Sequence, residues 1–205
     1  VFLSRLLLDP RSRQARREAA EPYELHRTLM RAFGARADAG RVLFWLDAPR
    51  DGGPLVLLVQ SEAAPDWAAH AALPGYLAGP PEVKPYAPAF AAGQRLRFRL
   101  RANPTVKREG KRLGLLTEEA QLGWLRRKGE AGGFRVLGAV PVEEGLLGGR
   151  KDDGERRHTL THLAVRYDGV LAVADPARLL EAVRAGVGSG KAFGFGLLSL
   201  ARAEG

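Results

Sequence analysis

The sequence predicts an α+β fold of two tandem ferredoxin-like domains, each β-α-β-β-α-β, over residues 1–90 and 91–205. Three observations predict it. Apolar runs of strand length alternate with stretches of helical spacing, in the same order in each half. Turn and cap residues separate them at Asp9-Pro10, Asp51-Gly52-Gly53 and Asp175-Pro176. The length, 205 residues, suits two compact units of about 100 residues each. The repeat is one of element order, since no sequence identity between the halves is visible.

In the first half, FLSRLLL (2–8) reads as a strand that Asp9-Pro10 ends. A basic loop with Arg11, Arg13, Arg16 and Arg17 is expected next. Pro22 opens a helix, because its missing N–H is not needed in a first turn. The helix is expected to run to about Gly40, with Leu25, Leu29 and Phe33 as its buried stripe. RVLFWLDA (41–48) and PLVLLVQS (54–61) are strands joined by a turn at Asp51-Gly52-Gly53. A short helical piece near 65–71 and a short strand around Val83 to Tyr86 complete the half.

In the second half, RLRFRLR (95–101) is a strand. Residues 117–133 form a helix with Thr117 as N-cap and Gly132 or Gly133 at its end. FRVLGAV (134–140) is a strand, and 142–166 are read as a long hairpin with a charged tip. Leu171 to Ala174 finish a further strand, and Asp175-Pro176 open a last helix to about Ala185. A glycine-rich loop (186–196) and the apolar segment LLSLA (197–201) close the chain.

Composition narrows the chemistry. The hydrophobic fraction of 45% is that of an ordinary globular protein. No apolar run approaches the roughly 18 residues of a membrane helix, and VFLSRLLLDPRSR is too short and wrongly flanked for a signal peptide. A soluble, cytoplasmic protein is expected. Cysteine is absent, which excludes disulfides, zinc fingers and thiol catalysis. The net charge is +9, and residues 91–135 hold 12 Lys+Arg against 4 Asp+Glu. Positive charge so concentrated is the footprint of a polyanion partner.

The strand RLRFRLR alternates strictly, placing Arg95, Arg97, Arg99 and Arg101 on one face. Four like charges there repel unless a polyanion or acidic neighbours offset them. Lys107, Arg108, Lys111 and Arg112 follow, which favours a phosphate-binding face. That face has no aromatic residues, so it is not a stacking platform for single strands. The loop GVGSGKAFGFG contains Gly186, Gly188, Gly190 and Lys191 but matches neither a P-loop nor a dinucleotide motif. Ala185 and Ala192 stand where a P-loop needs Gly and Ser/Thr. What remains is a backbone that approaches a phosphate closely, or a flexible helix cap and turn.

The four histidines show no metal-ligand spacing, so no metal and no cofactor is expected. His70 reads as surface filler, while His158 and His162 either meet a nucleic acid or stand exposed. His26 shares a helix edge with Tyr23 and Met30, beside the buried stripe. Arg27 and Arg31 lie further round the polar side. From the residues alone, His26 is either structural or catalytic.

The segments Arg16-to-Leu29 with Pro22-Tyr23-Glu24-Leu25-His26-Arg27, GQRLRFRLRANP (93–104) and GVGSGKAFGFGLLSL (186–200) resemble the CasE-type repeat-processing endoribonucleases of CRISPR Cascade complexes, in the same order along nearly the whole chain. The resemblance implies two ferredoxin-like domains and binding of a stem-loop in CRISPR repeat RNA. It also implies a cut at the 3′ base of the stem, a retained product and association with other Cascade subunits. It maps the active site onto His26 and Tyr23 and the RNA-binding glycine loop onto 186–196. It maps a basic hairpin onto Arg150, Lys151, Arg156 and Arg157, though Asp152, Asp153 and Glu155 interrupt it. Arg11, Arg13, Arg27, Arg31 and the arginines of 95–101 complete the expected RNA-binding set.

Such chemistry needs no metal. The 2′-OH beside the scissile phosphate must lose a proton and the 5′-oxygen must gain one. A histidine with a pKa of about 6.5 suits one of these transfers, which are typically worth about 10²–10⁴-fold. Tyr23 is placed to orient the 2′-OH, and Arg27, Arg31 or Lys191 to stabilise the phosphorane.

Overall fold

The structure is a computed structural model and describes residues 1–34, 40–47, 52–152 and 157–203. By its contacts the chain forms two units. The first comprises Val1–Ala87, Gly149–Thr159 and Lys191–Gly194, and the second Pro88–Gly148, Leu160–Gly190 and Phe195–Gly205. Both contain the expected ferredoxin-like sheet.

In the first unit, β1 (Phe2–Leu8) is central. It pairs antiparallel with β3 (Leu55–Ser61) on one side and β4 (Glu82–Pro85) on the other, and β2 (Val42–Asp47) pairs with β3. The order is β2-β3-β1-β4. The β1–β3 register runs from Phe2 opposite Ser61 to Leu8 opposite Leu55. Alternate residues Ser4, Leu6 and Leu8 are buried, as strand periodicity requires. Leu6, Leu8, Leu57, Val59 and Phe44 meet Leu25, Leu29 and Phe33 in one core.

The expected basic loop is instead a helix, α1 (Arg13–Ala20). Ser12 caps it, accepting the Ala15 N–H at 3.3 Å. Its buried residues, Ala15 and Glu18, are small or charged and hide the usual helical stripe. The helix stops at Glu21, whose backbone (φ −122°, ψ 80°) is pushed out of the helical region by the following proline. Pro22 then occupies the first turn of α2 (Pro22–Leu29). This helix is shorter than expected. It tightens into a 3-10 turn over Met30–Phe33 and ends at Gly34. The remainder of the expected helix (35–39), Ala48 and the Asp51 turn residue lie outside the described residues. The helical piece near 65–71 is α3 (Ala68–Ala71).

In the second unit, β5 (Arg95–Ala102) is central. It lies between β10 (Leu198–Arg202) and β9 (Arg157–Val173), with β8 (Phe134–Asp152) on the edge, so the order is β10-β5-β9-β8. The expected strand 134–140, hairpin 142–166 and strand 171–174 are one long hairpin of β8 and β9. Glycines made it read as broken, yet Gly169 serves close pairing, since a Cβ there would run into the Gly138 carbonyl. α4 (Glu118–Ala131) begins at Thr117 and α5 (Pro176–Ala185) at Asp175, both caps as expected. Trp124 of α4 stacks on Tyr167 of β9, with ring centroids 6.2 Å apart.

A small hairpin went unassigned in the sequence, β6 (Thr105–Arg108) with β7 (Lys111–Gly114). Glu109 (φ 48°) and Gly110 (φ 78°) both have positive φ, the geometry of a two-residue hairpin turn.

Candidate active site

α2 carries Tyr23 and His26 on the edge that borders its buried stripe. Leu25, Thr28 and Leu29 are buried, whereas Tyr23, His26 and Met30 are half-buried. The His26 ring lies over Phe44 of β2, nearly parallel at 13°, with centroids 6.2 Å apart. Its Nδ1 is buried. Tyr23 is 6.5 Å from His26, centroid to centroid, and stacks on Phe193 at 5.6 Å.

Phe193 belongs to a 3-10 turn, Lys191–Phe193, inside the glycine-rich segment. This turn packs with α2 and β2 in the first unit. Gly194 has φ +78°, and a Cβ on it would approach the Phe44 ring at 3.0 Å. Only glycine suits that combination of backbone and close approach. Tyr23, His26 and the Lys191 turn are therefore neighbours. Phe44 and Phe193, which support the two α2 rings, were missed in the sequence. The alternation Phe193-Gly194-Phe195-Gly196, large residues between bare backbone, was the available signal.

The expected cations are dispersed around the fold. Arg27 of α2 is 61% exposed and holds Glu24 of the same helix at 3.2 Å. Arg31 is exposed. Arg13 is exposed at the start of α1, and Arg11 bonds Asp9 at 3.0 and 3.2 Å. That contact holds the Asp9 carboxyl below the usual carboxylate range. Arg150, Lys151 and Arg157 lie on β8 and β9, and Arg156 lies outside the described residues.

In the second unit the arginines of β5 alternate outward as expected, and the acidic-neighbour alternative holds at two of them. Arg99 bonds Asp168 at 2.6 Å and Arg101 bonds Glu144 at 2.6 Å, with Arg166 bridging both carboxylates. Arg95 and Arg97 are exposed. Gly186, Gly188 and Gly190 all have positive φ. Gly186 caps α5, and Gly188 packs on Trp124. Near them, Lys107, Arg112, Lys128, Asn103 and Ser189 line a recess of about 290 Å³. On the basic hairpin, Lys107 stands opposite Arg112 and Arg108 opposite Lys111. Like charges in these positions repel, which an anion between them relieves.

Two of the other histidines, His70 and His162, are packed into the fold. His70, expected on the surface, is buried at 1% exposure, with Nε2 2.8 Å from the Thr28 carbonyl. His162 is half-buried and bonds Asn103 at 2.8 Å. Burial lowers the pKa of both. Their sequence surroundings, alanines and a charged hairpin, concealed this. The side chain of His158 lies outside the description. Among the described residues no three of His, Asp or Glu come together as a metal site requires, and no helix is long and apolar enough to cross a membrane.

The family model described as CRISPR associated protein matches residues 1–202. The chain is 44% identical to the CRISPR-associated endoribonuclease Cse3 of Thermus thermophilus, over 98% of this chain and 100% of that protein. It is 32% identical to the CRISPR system Cascade subunit CasE of Escherichia coli, over 98% and 99% respectively. Among solved structures, Thermus thermophilus Cse3 bound to an RNA representing a pre-cleavage complex aligns with TM-score 0.85 and 43% identity, covering 98% of each chain.

Proposed function

Because the chain belongs to the CRISPR associated protein family, we propose that it is a metal-independent endoribonuclease for CRISPR repeat RNA. It binds the repeat stem-loop, cuts at the 3′ base of the stem and retains the product among the other Cascade subunits in the cytoplasm. Two relatives with full-length matches support this reading, one an endoribonuclease and one a Cascade subunit by name. The observation that carries it is the juxtaposition on α2 of half-buried Tyr23 and His26 with the Lys191 turn.

The reaction follows from these groups. The 2′-oxygen attacks the adjacent phosphorus as its proton leaves, and the P–O5′ bond breaks as the 5′-oxygen gains a proton. His26 makes one of these transfers. Tyr23 hydrogen-bonds or orients the 2′-OH. Arg27 or Lys191 offsets the charge growing on the phosphorane. The products are a 2′,3′-cyclic phosphate and a 5′-OH. Domain 1–90 supplies the cutting helix, and domain 91–205 adds the β5 arginines, the glycine backbone and the basic hairpins that grip phosphate.

The test is incubation of repeat stem-loop RNA in EDTA, with end-group analysis of the fragments. A single cut leaving cyclic phosphate and 5′-OH is expected. A single 2′-deoxy substitution at the cut site is expected to block it. Cutting that requires a divalent metal, or that persists on the deoxy substrate, contradicts the proposal.

A further inference from the structure

Behind the edge that carries His26, α2 is held by a buried polar cluster. Glu18 on α1 is 1% exposed and accepts three hydrogen bonds. They come from Thr28 Oγ1 at 2.7 Å, Tyr76 OH at 2.5 Å and Gln14 Nε2 at 2.9 Å. The carbonyl of Thr28 meets His70 Nε2 at 2.8 Å. The His70 ring stands edge-on to Trp67, with centroids 5.0 Å apart, and Trp67 donates to Ser4 Oγ of β1 at 3.1 Å. Tyr76 is tied to the end of β1 through its carbonyl, which accepts from Asp9 N–H at 2.9 Å. Thr28 is thus bonded at both its hydroxyl and its carbonyl, and each bond leads toward α1 or the central strand.

A carboxylate removed from water is costly unless its oxygens are satisfied, and an apolar residue of similar size would fill the space more cheaply. What the cluster adds is direction. Its hydrogen bonds fix α2 in rotation and along its axis, which apolar packing does loosely. Thr28 lies two residues beyond His26, about 200° around the helix, so a grip on Thr28 holds His26 from the opposite side. Pro22 leaves the α1–α2 junction without its own hydrogen-bonded helical continuity. Glu18 and Thr28 supply the alternative tie across that break.

We propose that Glu18 and Thr28, with Tyr76 and His70 behind them, are positioning residues that set the Tyr23–His26 edge for cleavage. The inference rests on the reading of His26 as the cutting residue. Misplacement of a reacting group by about 1 Å costs on the order of 10²-fold in rate, so a tie of this kind is felt in kcat.

The experiment uses the full chain and repeat stem-loop RNA in EDTA. It compares wild type, Glu18→Gln, Thr28→Val and Thr28→Ser. Single-turnover cleavage gives the rate, and the 2′-deoxy RNA, which is bound without being cut, gives the Kd. Glu18→Gln and Thr28→Val are expected to slow cutting by about tenfold to a hundredfold while Kd stays within about twofold. Thr28→Ser, which restores the hydroxyl, is expected to recover most of the rate. Thr28→Val removes one hydrogen bond at nearly constant volume, so it carries the test if Glu18→Gln does not fold. Wild-type rates in folded Thr28→Val, or rate and affinity falling together, overturn the proposal. A wild-type chain that leaves the RNA uncut overturns the nuclease reading itself, and the positioning role with it.

Discussion

His70 shows how far a residue's sequence context can mislead. In AAHAALPG nothing marks it as buried, yet it is 1% exposed and donates to Thr28 across 42 positions of sequence. Glu18, Thr28 and Tyr76 were equally invisible, because no periodicity links positions so far apart. The shared helix edge of Tyr23 and His26 was legible beside a clear apolar stripe, whereas their expected place in an active site came from the family resemblance. The buried His70 carries a pH consequence. Burial is the main cause of its lowered pKa, opposed by the Thr28 carbonyl bond and by Glu18 and Asp66, and reinforced by the Arg31 charge. The unfolded chain therefore binds the proton first as pH falls below about 6.5, so stability falls in that direction and is complete above it. His70→Gln removes this titration while keeping an amide donor for Thr28. Thermal unfolding at pH 7.5 and 5.5 is expected to show a smaller acid-induced drop in Tm for the variant, although its Tm at pH 7.5 is lower. The residual drop belongs in part to His162, which burial shifts the same way. An unchanged pH dependence would remove His70 from the explanation.

At the scale of elements, strict alternation and strong caps were readable. β5 came directly from RLRFRLR, α4 from Thr117 and α5 from Asp175-Pro176. The misread elements have physical reasons. α1 hides its amphipathic face because the residues it buries are Ala15 and Glu18. The β8–β9 hairpin looked interrupted because its glycines and charges resemble loop residues. The 3-10 turn at Lys191–Phe193 was read as loop, although it brings Phe193 against Tyr23 and Gly194 against Phe44. That docking gives a prediction. Gly194→Val forces a β-branched residue to φ +78° and presses on the ring beneath His26. It is expected to destabilise the fold by about 1–3 kcal/mol and to slow RNA cutting at least about tenfold. Denaturant unfolding and single-turnover cleavage check both. Wild-type stability and rate would show that the turn tolerates a side chain and does not set the site.

Across the whole molecule, the two sheets have equivalent strand orders, β2-β3-β1-β4 and β10-β5-β9-β8. Element order alone conveyed that repeat, while the pairing of the β5 arginines with Asp168 and Glu144 needed coordinates. The division of labour proposed for the chain is unequal. Phosphate-gripping cations are spread over both units, whereas bond making and breaking belongs to one edge of α2. Binding and cutting should therefore separate in a single variant. The most direct measurement is His26→Ala, assayed for stem-loop affinity and for single-turnover cleavage under the same salt and EDTA conditions. Cutting is expected to fall by about 10²–10⁴-fold or more, with stem-loop affinity close to wild type. Cleavage at the wild-type rate, with the same cyclic phosphate product, would contradict the assignment of His26.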